Sequence, residues 1–221
     1  MRKRWNAVMR QVGRGLLWAG ILLVSGAPAQ ADLVAGRDYT KLAVALPPRN
    51  PDKVEVIEFF SYACPQCNRV QGPLAQWSAG LPRDVDYRRV PTAFHRASWS
   101  GLVRLYYALE MTGQLTRVDP LVFDASHKKH TALFEPTRIF DWAATQGVDR
   151  AKISDAYNSF AAQAREKQAE QWADAAHLPT IPAVLVDGRY LVSGASDMTP
   201  AQFVERIDQV ITLARSDRGR R

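Results

Sequence analysis

The chain has 221 residues, 47% hydrophobic and 23% charged, with 29 Lys+Arg against 22 Asp+Glu. The apolar fraction excludes a disordered chain, and 13 Gly with 13 Pro exclude a collagen-like or low-complexity one. A net charge of +7 admits a polyanion partner, while two cysteines are too few for a disulfide scaffold or a cysteine-only zinc site.

Residues 1–31 read as a secretory signal peptide cleaved between Ala31 and Asp32. Arg2, Lys3, Arg4, Arg10 and Arg14 form a basic start, Leu16 to Val24 an apolar run, and Ser25 to Ala31 a small-residue stretch ending A-x-A. The uncharged segment from Gly15 holds Gly, Ser, Pro and Gln, and falls short of the roughly 20 apolar residues that a membrane span requires. Removing the signal takes five basic and no acidic residues, leaving 24 against 22. Residues 215–221 hold four arginines and one aspartate, so the body between is nearly neutral, which argues against nucleic acid as a partner.

After a loop with Pro47, Pro48 and Pro51, residues 53–62 predict a strand, since Val54, Val56, Ile57, Phe59 and Phe60 are β-branched or aromatic. Val70, Leu74 and Trp77 predict a helix over 66–78, and 84–90 a second strand ended by Pro91. From 97 to 176 the period is helical. Leu102, Leu105, Tyr106 and Leu109 form one stripe closed by Gly113, and Ile139, Trp142 and Ala143 another closed by Gly147. The segment 161–176 is rich in strong helix formers. So long a helical block inside an α/β pattern predicts an inserted subdomain. Asp187-Gly188 is a two-residue hairpin signal between strands 183–186 and 189–192, and Thr199 caps a final helix over 200–214. Trp77, Trp99, Tyr106, Tyr107, Phe140, Trp142 and Trp172 are expected in the core rather than in a peptide groove.

Both cysteines lie in Cys64-Pro65-Gln66-Cys67, just past a predicted strand and at a predicted helix start. A structural disulfide, a metal site and redox chemistry are the three readings. So small a loop stabilises a fold by at most about 2 kcal/mol. Zinc would need two ligands from His95, His127, His130 and His177, none suitably spaced, and His127 and His130 beside two lysines suggest a solvated basic face. Redox chemistry accounts for the placement, because helix N-terminal amides favour the Cys64 thiolate. Pro65 suits a first helical position, where an N–H has no partner. On the strand, Val54, Val56, Glu58 and Phe60 share one face, setting a carboxylate in an apolar row. Glu58 either reaches water or is buried, and burial would dispose it to exchange protons near neutral pH.

The run from Val54 to Cys67 resembles the active-site strand and helix start of the DsbA-type thiol:disulfide oxidoreductases. The segment from Ile181-Pro182 to Tyr190 resembles the same family's proline loop and hairpin. The resemblance implies a thioredoxin fold with an inserted α-helical domain: 32–96 and 177–215 form the thioredoxin-like parts, 97–176 the insertion and 216–221 a basic tail. It implies that Cys64 is the exposed cysteine that forms the mixed disulfide, that Cys67 is its buried partner, and that Glu58 assists Cys67. Pro182, preceded by Ile181, would be the cis proline facing the pair. No cofactor or metal is expected beyond the redox-active disulfide. The implied setting is the periplasm, with unfolded exported proteins carrying free cysteines as clients, a DsbB-type quinone-linked membrane oxidase for recharging, and a monomeric enzyme. Gln66 stands where the best-known pattern has His, which predicts a less oxidising disulfide. A reductase or isomerase, or a peptide-binding chaperone module stapled by a structural disulfide, are the alternatives.

Overall fold

The computed structural model describes residues 33–194 and 198–220, and the expected signal peptide lies outside them. Strand β2 (Val54–Phe60) is the spine of a five-stranded sheet, buried along its whole length. Its parallel neighbour is β3 (Val85–Pro91), reached through helix α1 (Pro65–Ala79). On its other side β4 (Ala183–Val186) runs antiparallel, followed by β5 (Tyr190–Ser193) and the two-residue β1 (Thr40–Lys41). Strand β3 runs one residue past the expected 84–90, with Pro91 pairing with Phe60 as its last residue; β3 is an edge strand, where a proline is tolerated.

Between β3 and β4 the chain forms helices α2 (Ser100–Met111), α3 (Leu115–His127), α4 (Pro136–Thr145), α5 (Arg150–Asn158) and α6 (Phe160–Ala175). Gly113 and Gly147 end two of them at φ +69° and +75°, the left-handed geometry in which glycine lacks the Cβ penalty. The residues of β2 divide between two cores. Val54 and Val56 pack with α1 and helix α7 (Pro200–Gly219), whereas Ile57 and Phe59 pack with the helical insertion. Phe60 departs from the expected row: where the strand ends it joins the insertion core, its ring 5.3 Å from Tyr62, 5.6 Å from Tyr106 and 6.0 Å from Phe123. Tyr106 and Phe140 are buried; Trp77, Trp99, Tyr107, Trp142 and Trp172 are half-buried against the cores.

The hairpin turn places Asp187 and Gly188 at φ +54° and +63°, as a type I′ turn requires. Helix α7 opens with a Thr199–Gln202 capping box and runs five residues beyond the expected Ala214, through Gly219. The basic tail expected over 216–221 is therefore largely helix. Arg215 pairs with Asp84 at 2.8 Å, and Arg218 donates to buried Asp187 and to the carbonyls of Pro51 and Lys53. These partners are distant in sequence and close in the fold.

Candidate active site

A strand buried on both faces must leave the sheet sharply to start a helix above it, and Ser61 to Ala63 make that turn. Cys64 is the N-cap of α1, with extended backbone (φ −87°, ψ 117°), and Pro65 takes the first helical position. Its Sγ accepts a hydrogen bond from the Cys67 backbone N–H at 3.3 Å and lies 3.5 Å from the carbonyl oxygen of Ile181. The Ile181–Pro182 peptide is cis, and the loop ends in β4, so the hairpin delivers it against the cysteine pair. Gly194 closes the arrangement from behind, its N–H donating to the Pro182 carbonyl at 2.9 Å.

Cys64 is not freely exposed: it is 5% accessible, because the Ile181–Pro182 loop packs on it, against 0% for Cys67. Gln66 and Pro182 also border a small pocket with Arg69, Val70, Gly194, Met198 and Phe203. The two thiols are electrostatically unequal. Hydrogen bonding from the Cys67 thiol is the largest influence on Cys64, and it prevails over burial with help from the backbone N–H groups of Cys67 and Gln66 and the charge of Arg96. Together they lower Cys64 from 9.0 to about 7. Burial pushes the Cys67 thiol well above its ordinary range, reinforced by Cys64 and by the Glu58 carboxylate. One proton therefore leaves the pair readily and the other does not.

Gln66 acts through its backbone. Its side-chain oxygen accepts from Arg69 at 2.8 Å, so the amide is engaged along the helix surface. Arg96, whose guanidinium is held 4.3 Å over the Trp99 ring, adds the smallest of the named influences that lower Cys64. No local pattern in the sequence marks that arginine, because it acts across the fold.

Glu58 is 1% exposed, which settles burial over solvent contact. Its surroundings are nevertheless polar: Arg89 Nε donates to Oε2 at 3.0 Å, and the Tyr87 hydroxyl donates to the same oxygen. Tyr62 is fastened to α3 at both ends. Its hydroxyl donates to Asp119 at 2.6 Å, and His127 Nε2 sits 2.8 Å from its carbonyl oxygen. His127 is thus half-buried and structural, not part of a solvated basic face, while Lys128, Lys129 and His130 are exposed. His95 and Asp174 approach to 3.7 Å on the surface. Among the described residues no group of three or more His, Cys, Asp or Glu is arranged to hold a metal.

Comparison with known proteins places this geometry in a family context. Residues 74–207 match the DSBA-like thioredoxin domain family. The chain is 37% identical over 206 residues to the thiol:disulfide interchange protein DsbA of Bordetella parapertussis, covering 90% of this chain and 96% of that one. It is 33% identical over 207 residues to the DsbA of Pseudomonas aeruginosa, covering 92% and 98%. The crystal structure of Pseudomonas aeruginosa DsbA superimposes with a TM-score of 0.80 at 32% identity, over 85% of this chain and 97% of that one. The oxidoreductase NmDsbA1 of Neisseria meningitidis gives 0.75 at 27% identity, over 85% and 96%.

Proposed function

The chain belongs to the DsbA-like thioredoxin family and is a thiol:disulfide oxidoreductase that introduces disulfide bonds, and we propose that it does so in the periplasm as a monomeric dithiol oxidase. Its clients are newly exported, unfolded proteins with free cysteines. Its redox group is its own Cys64–Cys67 disulfide, with no added cofactor or metal. A DsbB-type quinone-linked membrane oxidase would recharge it, and residues 1–31 would be the export signal.

The observation that carries the reading is the asymmetry of the pair, Cys64 lowered and Cys67 raised. A client thiolate attacks Cys64 Sγ of the disulfide form, breaking the S–S bond, and Cys67 leaves as thiolate and takes up a proton. A second client thiolate then attacks the client sulfur of the mixed disulfide. The client departs oxidised, Cys64 departs as thiolate, and two electrons have passed to the enzyme. Because the amides, the Cys67 thiol and Arg96 stabilise that thiolate, they stabilise the reduced enzyme and make the disulfide a better oxidant.

In the reverse direction Cys67 must lose its proton while buried, and Glu58 is the acceptor we assign. Glu58→Gln preserves the size of the side chain and removes the base, so stopped-flow reoxidation should slow about tenfold or more at neutral pH. An unchanged rate and pH profile would remove Glu58 from the mechanism. Titration against glutathione separates the oxidase reading from a reductase or isomerase.

A further inference from the structure

The chain leaves β3 at the same end of the sheet at which β2 runs on to Cys64. Pro91 pairs with Phe60, and the Thr92 N–H still donates to the Phe60 carbonyl at 2.8 Å. Residues 92–99 then arch over that end of the sheet. Ala93 is buried in the same core cluster as Cys64, Cys67 and Ile181, whereas His95 and Arg96 are exposed.

The arch is built against its local preferences. Phe94 and His95 stand at φ +48° and +59°, left-handed geometry that residues with a Cβ rarely take. Two such residues in succession persist only where the surroundings over-determine them. Helix α6 supplies the restraint: Glu170 accepts from the Ala93 N–H at 2.6 Å and from the Thr92 hydroxyl at 3.1 Å. Thr92 Oγ1 in turn accepts from the Phe94 N–H at 2.9 Å, and the Arg96 N–H donates to the Ala93 carbonyl at 2.9 Å. A loop held this firmly presents its exposed side chains in one place.

The side chain so presented is Arg96. Its Cζ lies 4.3 Å from the Trp99 ring centroid, and Trp99 is half-buried against the core. Stacking fixes the guanidinium plane and leaves its in-plane N–H groups for a planar acceptor. Among the described residues Arg96 forms no ion pair: His95 faces Asp174 at 3.7 Å, and Glu170 is occupied by the loop. Its charge is felt at Cys64 but is the smallest of the named influences there, so acidifying that thiol is not its main effect.

We propose that Arg96 is a specificity-determining residue: it receives a carboxylate of the client close to the reacting cysteine, so that acidic client segments are preferred. The inference rests on the oxidoreductase reading and adds a client class to it. A carboxylate can meet the guanidinium through two parallel hydrogen bonds, whereas a client lysine at that place meets like charge. Because the pair forms in an exposed position, salt weakens it.

Two measurements test this. In the reduced protein the Cys64 thiolate displaces iodide from iodoacetate or from iodoacetamide, which differ in charge. The rate ratio of the anionic to the neutral reagent should be about threefold higher in wild type than in Arg96→Gln at low ionic strength. The second uses synthetic dithiol peptides identical except for Glu, Gln or Lys beside one cysteine. The Glu-to-Lys ratio of oxidation rates should be about fivefold higher in wild type than in Arg96→Gln. Arg96→Lys should keep part of the preference, Arg96→Glu should reverse it, and high salt should suppress it. Comparing ratios cancels the influence of each peptide's charge on its own thiol and of each substitution on Cys64. An Arg96→Gln protein that slows all three peptides equally, or alkylates with the wild-type ratio, would overturn the proposal. A wild type that oxidises none of the peptides would instead overturn the oxidoreductase reading, and the alkylation ratio would still judge Arg96.

Discussion

Cys64→Ala is expected to abolish dithiol oxidation completely, whereas Cys67→Ala should accumulate client proteins as mixed disulfides that reducing agents release. The contrast follows from position. Cys64 is the N-cap sulfur, 5% accessible against 0% for Cys67, with its thiolate favoured by the Cys67 thiol and by the helix-start amides, so it is the sulfur a client can reach. Cys67 is wholly buried and can act only on Cys64. The pH dependence is fixed in sign. A thiol lowered from 9.0 to about 7 contributes stability to the reduced fold that is fully present above pH 9 and is lost as pH falls through 7. Alkylation of Cys64 should rise with pH to half its plateau near 7. Mass spectrometry of adducts purified from the Cys67→Ala protein identifies the clients directly. A Cys64→Ala protein with full activity would reduce the cysteines to a staple and leave a peptide-binding module.

Gly188→Ala is the substitution expected to cost the most stability per atom added. A Cβ there would stand 2.0 Å from the backbone oxygen of Leu46 and 2.9 Å from its carbonyl carbon, and neither can swing away. The residue also sits at φ +63°, and its carbonyl accepts from the Leu46 N–H at 2.8 Å. Left-handed strain of about 1 kcal/mol or more adds to a steric cost of about 1–3 kcal/mol. Gly113→Ala is the control, at φ +69° with nothing within 4 Å of the added carbon, so it bears the strain alone. Urea denaturation of the two variants should separate them clearly. Equal losses would mean that the segment before Pro47 does not press on the hairpin that carries Pro182.

What could be read in the sequence was local in origin. Alternation and β-branching mark β2, the Cys64–Cys67 spacing marks the helix start, Asp187-Gly188 marks its turn, and Thr199 with Gln202 marks a helix cap. The unread features depend on partners far along the chain. The two residues of β1 are a strand only because Leu191 and Tyr190 lie beside them. Helix α7 outruns its apolar stripe because Asp84 and Asp187 receive Arg215 and Arg218. Glu58 was legible as an acid in a buried strand, but its escort of Tyr87 and Arg89, and Asp119 beyond, comes from β3 and α3. Arg96 reaches Cys64 from a loop with no motif of its own.

The equilibrium between this protein and the glutathione redox couple tests the central claim most directly. A lowered Cys64 opposite a raised Cys67 predicts a disulfide more oxidising than that of a reductase such as thioredoxin, at about −270 mV. With Gln66 contributing only its backbone N–H, the potential should fall short of that of His-containing relatives measured in the same buffer. A value at or below the thioredoxin level would contradict the oxidase account, and one at or above the His-containing relatives would contradict the role given to Gln66.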